Sequence, residues 1–134
     1  MLGKVISMNT MKQISNILLV FFGGGLGSAI RYFFSIIIKN SSNGFPTATF
    51  LVNVTGCFII GLIYSLIQVE NTALKLWLVV GVLGGFTTFS SFGLETIHLF
   101  GRGQSQIAIL YVILSNLFGL AAVYIGTRIS LLFS

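Results

Sequence analysis

The sequence predicts an all-α membrane protein with four transmembrane helices, and three observations carry that fold class. Of its 134 residues, 55% are hydrophobic and 7% are charged, whereas ordinary soluble domains carry about 25% charged residues. The mean hydropathy of +1.03 leaves too little polar surface to coat a soluble globule. The apolar residues also gather into four long runs, 14–38, 46–67, 74–100 and 106–133. Each run reaches the roughly 20 residues of helix that cross a bilayer core.

The first run follows Lys4 and Lys12. It is too long for a secretory signal and has no small-x-small cleavage site. Residues 1–13 read as an amino-terminal arm, cytosolic or interfacial, and 1–134 as a single four-helix membrane unit. The breaks between runs are short and polar, at 39–44, 68–72 and 101–104. Pro46 suits the first position of the second helix, where a missing N–H costs nothing. The third run is interrupted by Gly84-Gly85-Phe86-Thr87-Thr88-Phe89-Ser90-Ser91-Phe92. Paired glycines and clustered hydroxyl residues are poor helix interior, so this run is expected to break there. A broken membrane helix frees carbonyls that protein, ligand or ion must satisfy, and freed carbonyls at mid-membrane suit a small hard cation.

The inventory excludes most chemistry. There is no Asp, and Glu70, Glu95, His98 and Cys57 are the only other acidic, imidazole or thiol groups. A Ser-His-Asp triad cannot be assembled, and these four residues are too scattered for a His/Cys/carboxylate metal site. No enzyme is expected. Glu95 and His98, three apart near the end of the third run, read as a local interfacial pair. The net charge of +5 comes from isolated Lys and Arg residues, so nucleic acid is not an expected partner.

With four spans, the amino-terminus, second loop and carboxy-terminus share one side of the membrane. That side holds Lys4, Lys12, Lys75 and Arg128, and the other holds Lys39 and Arg102, with Arg31 near that end. The bias is weak for a rule based on excess Lys and Arg in cytoplasmic loops. Two readings stand: one modestly biased orientation, or insertion both ways up and assembly as an antiparallel homodimer.

Polar and small residues inside spans point to function or helix contact. Gly24, Gly27, Ser28, Arg31 and Ser35 share a stripe of the first helix, and Thr49, Asn53, Gly56, Ile60 and Gly61 share one of the second. Arg31 reads as structural, anchoring at the interface or pairing with carbonyls. Asn53 is either interhelical glue or a neutral donor to a passing anion. Phe89 and Phe92, three apart beside the break, either pack as core or turn positive ring edges to a pathway. Tyr111, Ser115, Phe118, Gly119 and Ala122 form a stripe of the fourth helix, with Asn116 adjacent.

The runs Gly23 to Tyr32, Thr49 to Phe58 and Gly84 to Phe92 resemble the CrcB/Fluc family of fluoride channels, in that family's order and spacing across nearly the whole chain. Cys57 and Thr55 stand where other small residues are expected. The resemblance implies an antiparallel dual-topology homodimer in the cell membrane, with lipid around it, two fluoride pores and a broken third helix crossing at the centre. It implies a sodium ion held at the dimer interface by backbone carbonyls, here of Gly84 and Thr87. Asn53 resembles the pore amide, Phe89 and Phe92 the paired rings, and Tyr111 and Ser115 pore-facing residues. Thr88, Ser90 and Ser91 become a hydroxyl track, and Arg31 a vestibule or structural residue. The expected activity is passive export of fluoride. The alternative is a small multidrug-type proton-coupled antiporter, which needs an embedded carboxylate that the first helix lacks.

Overall fold

A computed structural model describes residues 2–63 and 71–133. The expected end of the second run at residue 67, and Gln68, Val69 and Glu70 of the second loop, lie outside the described residues. The described chain is helical: α1 (Leu2–Ile37), α2 (Thr47–Leu62), α3 (Thr72–Leu74), α4 (Lys75–Leu83), α5 (Gly84–Phe86), α6 (Phe89–Gly101) and α7 (Ser105–Ser130). Elements α3 to α6 make up the third span.

Three stretches are long and apolar enough to cross a membrane, Asn9–Ile37, Thr72–Gly101 and Ser105–Ser130, and α2 is a shorter apolar helix of 16 residues. Many large apolar side chains, among them Phe21, Phe22, Phe33, Leu117 and Leu120, face outward. Such a surface is tolerated in lipid and not in water. The chain is a multi-pass membrane protein. The helix boundaries differ in detail from the expected runs. Residues 2–13 are helical and continuous with α1, giving 36 residues and about 54 Å of helix, well beyond a hydrocarbon core of about 30 Å. Pro46 sits just before α2 as its cap, one position earlier than expected.

Helices pack in two layers of contact, α1 along α4 and α5, and α2 along α7, while α6 closes against α7. The small-residue stripe of α1 makes the first contact possible. A Cβ on Gly27 would meet Val82 O and lie 2.8 Å from Phe86 N, and one on Gly85 would meet Gly24 O. Backbone therefore touches backbone, as expected where small residues line a membrane helix interface. The segment α4 runs as a π-helix with the wider i→i+5 repeat. Nothing in the apolar sequence Lys75 to Leu83 announces this.

The third span does break, at a place two residues beyond the glycines. Gly84 keeps helical angles (φ −63°, ψ −37°), whereas Thr87 (φ −80°, ψ 157°) and Thr88 (φ −149°, ψ 115°) are extended. Gly85 serves contact with α1, whereas a Cβ on Gly84 would meet only Val79 O, at 3.8 Å. The two β-branched residues carry the break, because extended backbone suits them better than helix does, and because side chains from α1 and α2 take up the polar groups it releases.

Candidate functional site

The break is held from two sides. From α2, Asn53 braces Thr88 through both ends of its amide: Oδ1 accepts from Thr88 N–H at 2.8 Å and Nδ2 donates to Thr88 O at 3.0 Å. From α1, Arg31 Nε donates to Gly85 O at 3.1 Å, and Ser28 Oγ to the same carbonyl at 3.4 Å. Thr88 then caps α6, its Oγ1 accepting from Ser91 N–H at 3.1 Å and donating to Ser91 Oγ at 3.0 Å, with Ser90 Oγ 3.3 Å away. Thr87 N–H and Oγ1 both donate to Leu83 O.

Two cavities flank this break and share Thr88. The larger, about 390 Å³, is lined by Asn53, Cys57, Gly84, Thr87, Phe89, Phe92 and Ser115 among others, and no charged residue faces it. Its polar groups are donors with capacity to spare. Asn53 Nδ2 carries two hydrogens and gives one to Thr88. Ser115 Oγ is buried with no protein partner among the described residues, a state that polar groups in a folded protein rarely keep without a ligand or water. The Phe89 and Phe92 rings stand 5.6 Å apart at 42°. The helix α6 also begins here, so its positive dipole end points into the region.

The smaller cavity, about 220 Å³, is lined by Arg31, Tyr32, Ser35, Thr49, Thr88, Ser91 and Glu95 among others. Of the residues singled out in the sequence, Asn53, Thr88, Phe89, Phe92, Ser115, Gly84 and Thr87 thus come together in one cavity, and Arg31, Ser91 and Thr88 in the other. Ser90 is exposed and lines neither. Tyr111 lines neither as well. It is fully buried beside Leu99 and Ala108, with its ring 5.1 Å from that of Phe92.

A polar knot behind the rings joins residues that the sequence alone does not bring together. The expected Glu95–His98 pair does not form. Instead, Glu95 Oε1 accepts from Thr49 Oγ1 at 2.7 Å and Oε2 from Tyr111 OH at 2.8 Å, while His98 is exposed in the last turn of α6. Glu95 lies within the helix and not at its interfacial end, because α6 runs on to Gly101. Its carboxylate ties α2, α6 and α7 together. The sequence signal was present, since Thr49 lies four residues before Asn53 and Tyr111 leads the α7 stripe, but only the helix pairing makes them converge.

Among the described residues no group of three His, Cys, Asp or Glu can hold a metal. The unpaired oxygens at the break are backbone carbonyls. Thr88 N–H, the helical partner of Gly84 O, is held by Asn53, and Ser91 N–H, the helical partner of Thr87 O, is held by Thr88 Oγ1. Those two carbonyls are left as hard oxygen donors, the type that suits a hard cation.

Residues 18–127 match the family described as CrcB-like protein, Camphor Resistance (CrcB). The chain belongs to the CrcB family. The match runs from Leu18 of α1 to the last turn of α7 and so takes in the whole break. Curated relatives agree over nearly full length. A protein of Ruminiclostridium cellulolyticum is 41% identical over 124 residues, covering 90% of this chain and 95% of its own. One of Chlorobium phaeobacteroides is 44% identical over 120 residues, covering 87% and 93%. One of Helicobacter acinonychis is 45% identical over 109 residues, covering 78% and 86%. Each is named "Fluoride-specific ion channel FluC". Membership sets the CrcB chain among transporters and away from enzymes, and nothing in these matches favours a proton-coupled antiporter.

Proposed function

We propose that this CrcB chain is a fluoride-selective passive ion channel that lets fluoride leave the cell and so lowers its cytoplasmic concentration. The observation that carries this reading is the uncharged cavity at the break, where Asn53 and Ser115 keep unspent donors beside two aromatic rings. Fluoride is small and strongly hydrated, so a pathway must replace its water with N–H and O–H donors and positive ring edges. Neutral donors hold an anion weakly enough to release it, whereas a fixed cation would trap it. The names carried by the full-length relatives point to the same ion.

In this reading Asn53, Ser115, Phe89 and Phe92 line the fluoride path, and Thr88, Ser90 and Ser91 form a hydroxyl track from it. Tyr111 acts from behind Phe92, by packing and through Glu95. Two copies pair as an antiparallel dual-topology homodimer, which is supported by the weak charge bias between the two sides and by the exposure of Gly84 and Phe89 beside the cavity. A sodium ion at the dimer interface takes the carbonyls of Gly84 and Thr87. When bound, it supplies positive charge that holds stranded carbonyls together.

The test is efflux from liposomes containing purified protein, with a potassium gradient and ionophore, read for fluoride and chloride in the same vesicles. Fast electrogenic loss of fluoride with chloride retained is the expected result. Absence of fluoride flux from correctly assembled protein refutes the reading.

A further inference from the structure

We infer that Arg31, assisted by Ser28, is a positioning residue that decides which carbonyls of the break remain open to a cation. The inference rests on the cation reading of Gly84 and Thr87 and goes beyond it by naming what fixes that donor set.

In an unbroken helix Gly84, Gly85, Phe86 and Thr87 would give their carbonyls to the N–H groups of Thr88, Phe89, Ser90 and Ser91. The extended conformation of Thr87 and Thr88 removes all four arrangements. Only one of the stranded carbonyls is then taken by a charged side chain. Arg31 Nε reaches Gly85 O at 3.1 Å and Ser28 Oγ adds a second, longer contact at 3.4 Å. A carbonyl holding a guanidinium is satisfied and is also withdrawn from any neighbouring cation site by like-charge repulsion. Gly84, Phe86 and Thr87 are left, and of these Gly84 and Thr87 line the larger cavity.

The sequence of α1 is arranged for this. Gly24, Gly27, Ser28 and Arg31 follow at three- and four-residue steps on one face, and the overlap of a Cβ at Gly27 with Val82 O fixes how close α1 lies to the chain before the break. That approach leaves Arg31 one turn further along, from where its Nε reaches Gly85 O. Glu95 lines the same cavity as Arg31, but both of its oxygens are engaged by Thr49 and Tyr111. The bond that Arg31 makes is to backbone, through Nε to Gly85 O. The number and field strength of carbonyls around a cation govern which ion is preferred, so a third free carbonyl at Gly85 would change both affinity and ion order.

The test is thermal unfolding of the purified full-length protein in a salt of a large organic cation, titrated with sodium, lithium or potassium chloride. The wild type is expected to gain stability saturably and to prefer sodium over potassium. Arg31→Gln removes the neighbouring positive charge and frees a carbonyl donor, so it is expected to lower the sodium half-saturation concentration about tenfold and to narrow the preference over potassium, with Arg31→Lys, which keeps the charge and a donor, lying between. Should Arg31→Gln not purify folded, the double variant Ser28→Ala with Arg31→Lys replaces it, with an expected shift of about threefold. A wild-type midpoint and ion order in the variant tested overturn the positioning role alone. A wild type with no sodium response overturns the cation reading itself, and the role with it.

Discussion

Replacing Asn53 with Asp changes one atom group and separates two jobs of the side chain. Oδ1 still accepts from Thr88 N–H, but the group facing Thr88 O becomes an acceptor, so one brace is lost. That costs about 1 kcal/mol of stability, as for a typical hydrogen bond. The larger effect is on the anion. A cavity of about 390 Å³ keeps any ion inside it close to the new carboxylate. At separations of about 4–8 Å and an effective dielectric of about 20, the repulsion is about 2–4 kcal/mol. Occupancy, and with it flux, should fall by about 30- to 1,000-fold. Asn53→Leu supplies the contrast, since it removes both braces without adding charge and strands Thr88 N–H and C=O at about 1–3 kcal/mol each. Liposome fluoride efflux at equal protein density, beside thermal unfolding, reads the two effects. Flux of Asn53→Asp within about threefold of wild type, in a protein of near-normal stability, would show that Asn53 does not face the anion and only holds the break.

Phe89→Ile and Phe92→Ile remove the ring edges and should lower fluoride efflux, with the assembled dimer still seen by size-exclusion chromatography; undiminished efflux would leave the rings as packing. Ser115→Ala deletes a buried hydroxyl that has no protein partner, so it should leave stability unchanged or raise it by about 1 kcal/mol while slowing fluoride efflux. Lower stability with normal efflux would refute a donor role. Gly27→Ala forces a Cβ onto Val82 O, and calorimetry should find the protein destabilised by about 1–3 kcal/mol as α1 and α4 are pushed apart. Glu95→Leu leaves the fully buried Tyr111 hydroxyl without its acceptor, for a loss of about 1–3 kcal/mol in the same assay.

Composition and run length were enough to determine a helical membrane protein with a broken third span, because lipid permits only closed hydrogen-bonding patterns and a glycine- and hydroxyl-rich insert cannot continue a helix cleanly. The stripes of small and polar residues were legible too, since helical periodicity places Gly24, Gly27, Ser28 and Arg31 on one face whatever that face meets. What they meet was not legible. The whole stretch from Gly84 to Phe92 read as the break; the chain opens only at Thr87 and Thr88, braced by Asn53, while Gly85 stays helical, seats against Gly24 of α1 and gives its carbonyl to Arg31. Glu95 looked like a partner for His98, three residues away, yet bonds to Thr49 and Tyr111 from helices far off in sequence. Periodicity fixes the face a side chain occupies along its own helix. Its hydrogen-bond partner depends on the rotation and depth of the neighbouring helices, and only tertiary packing decides those.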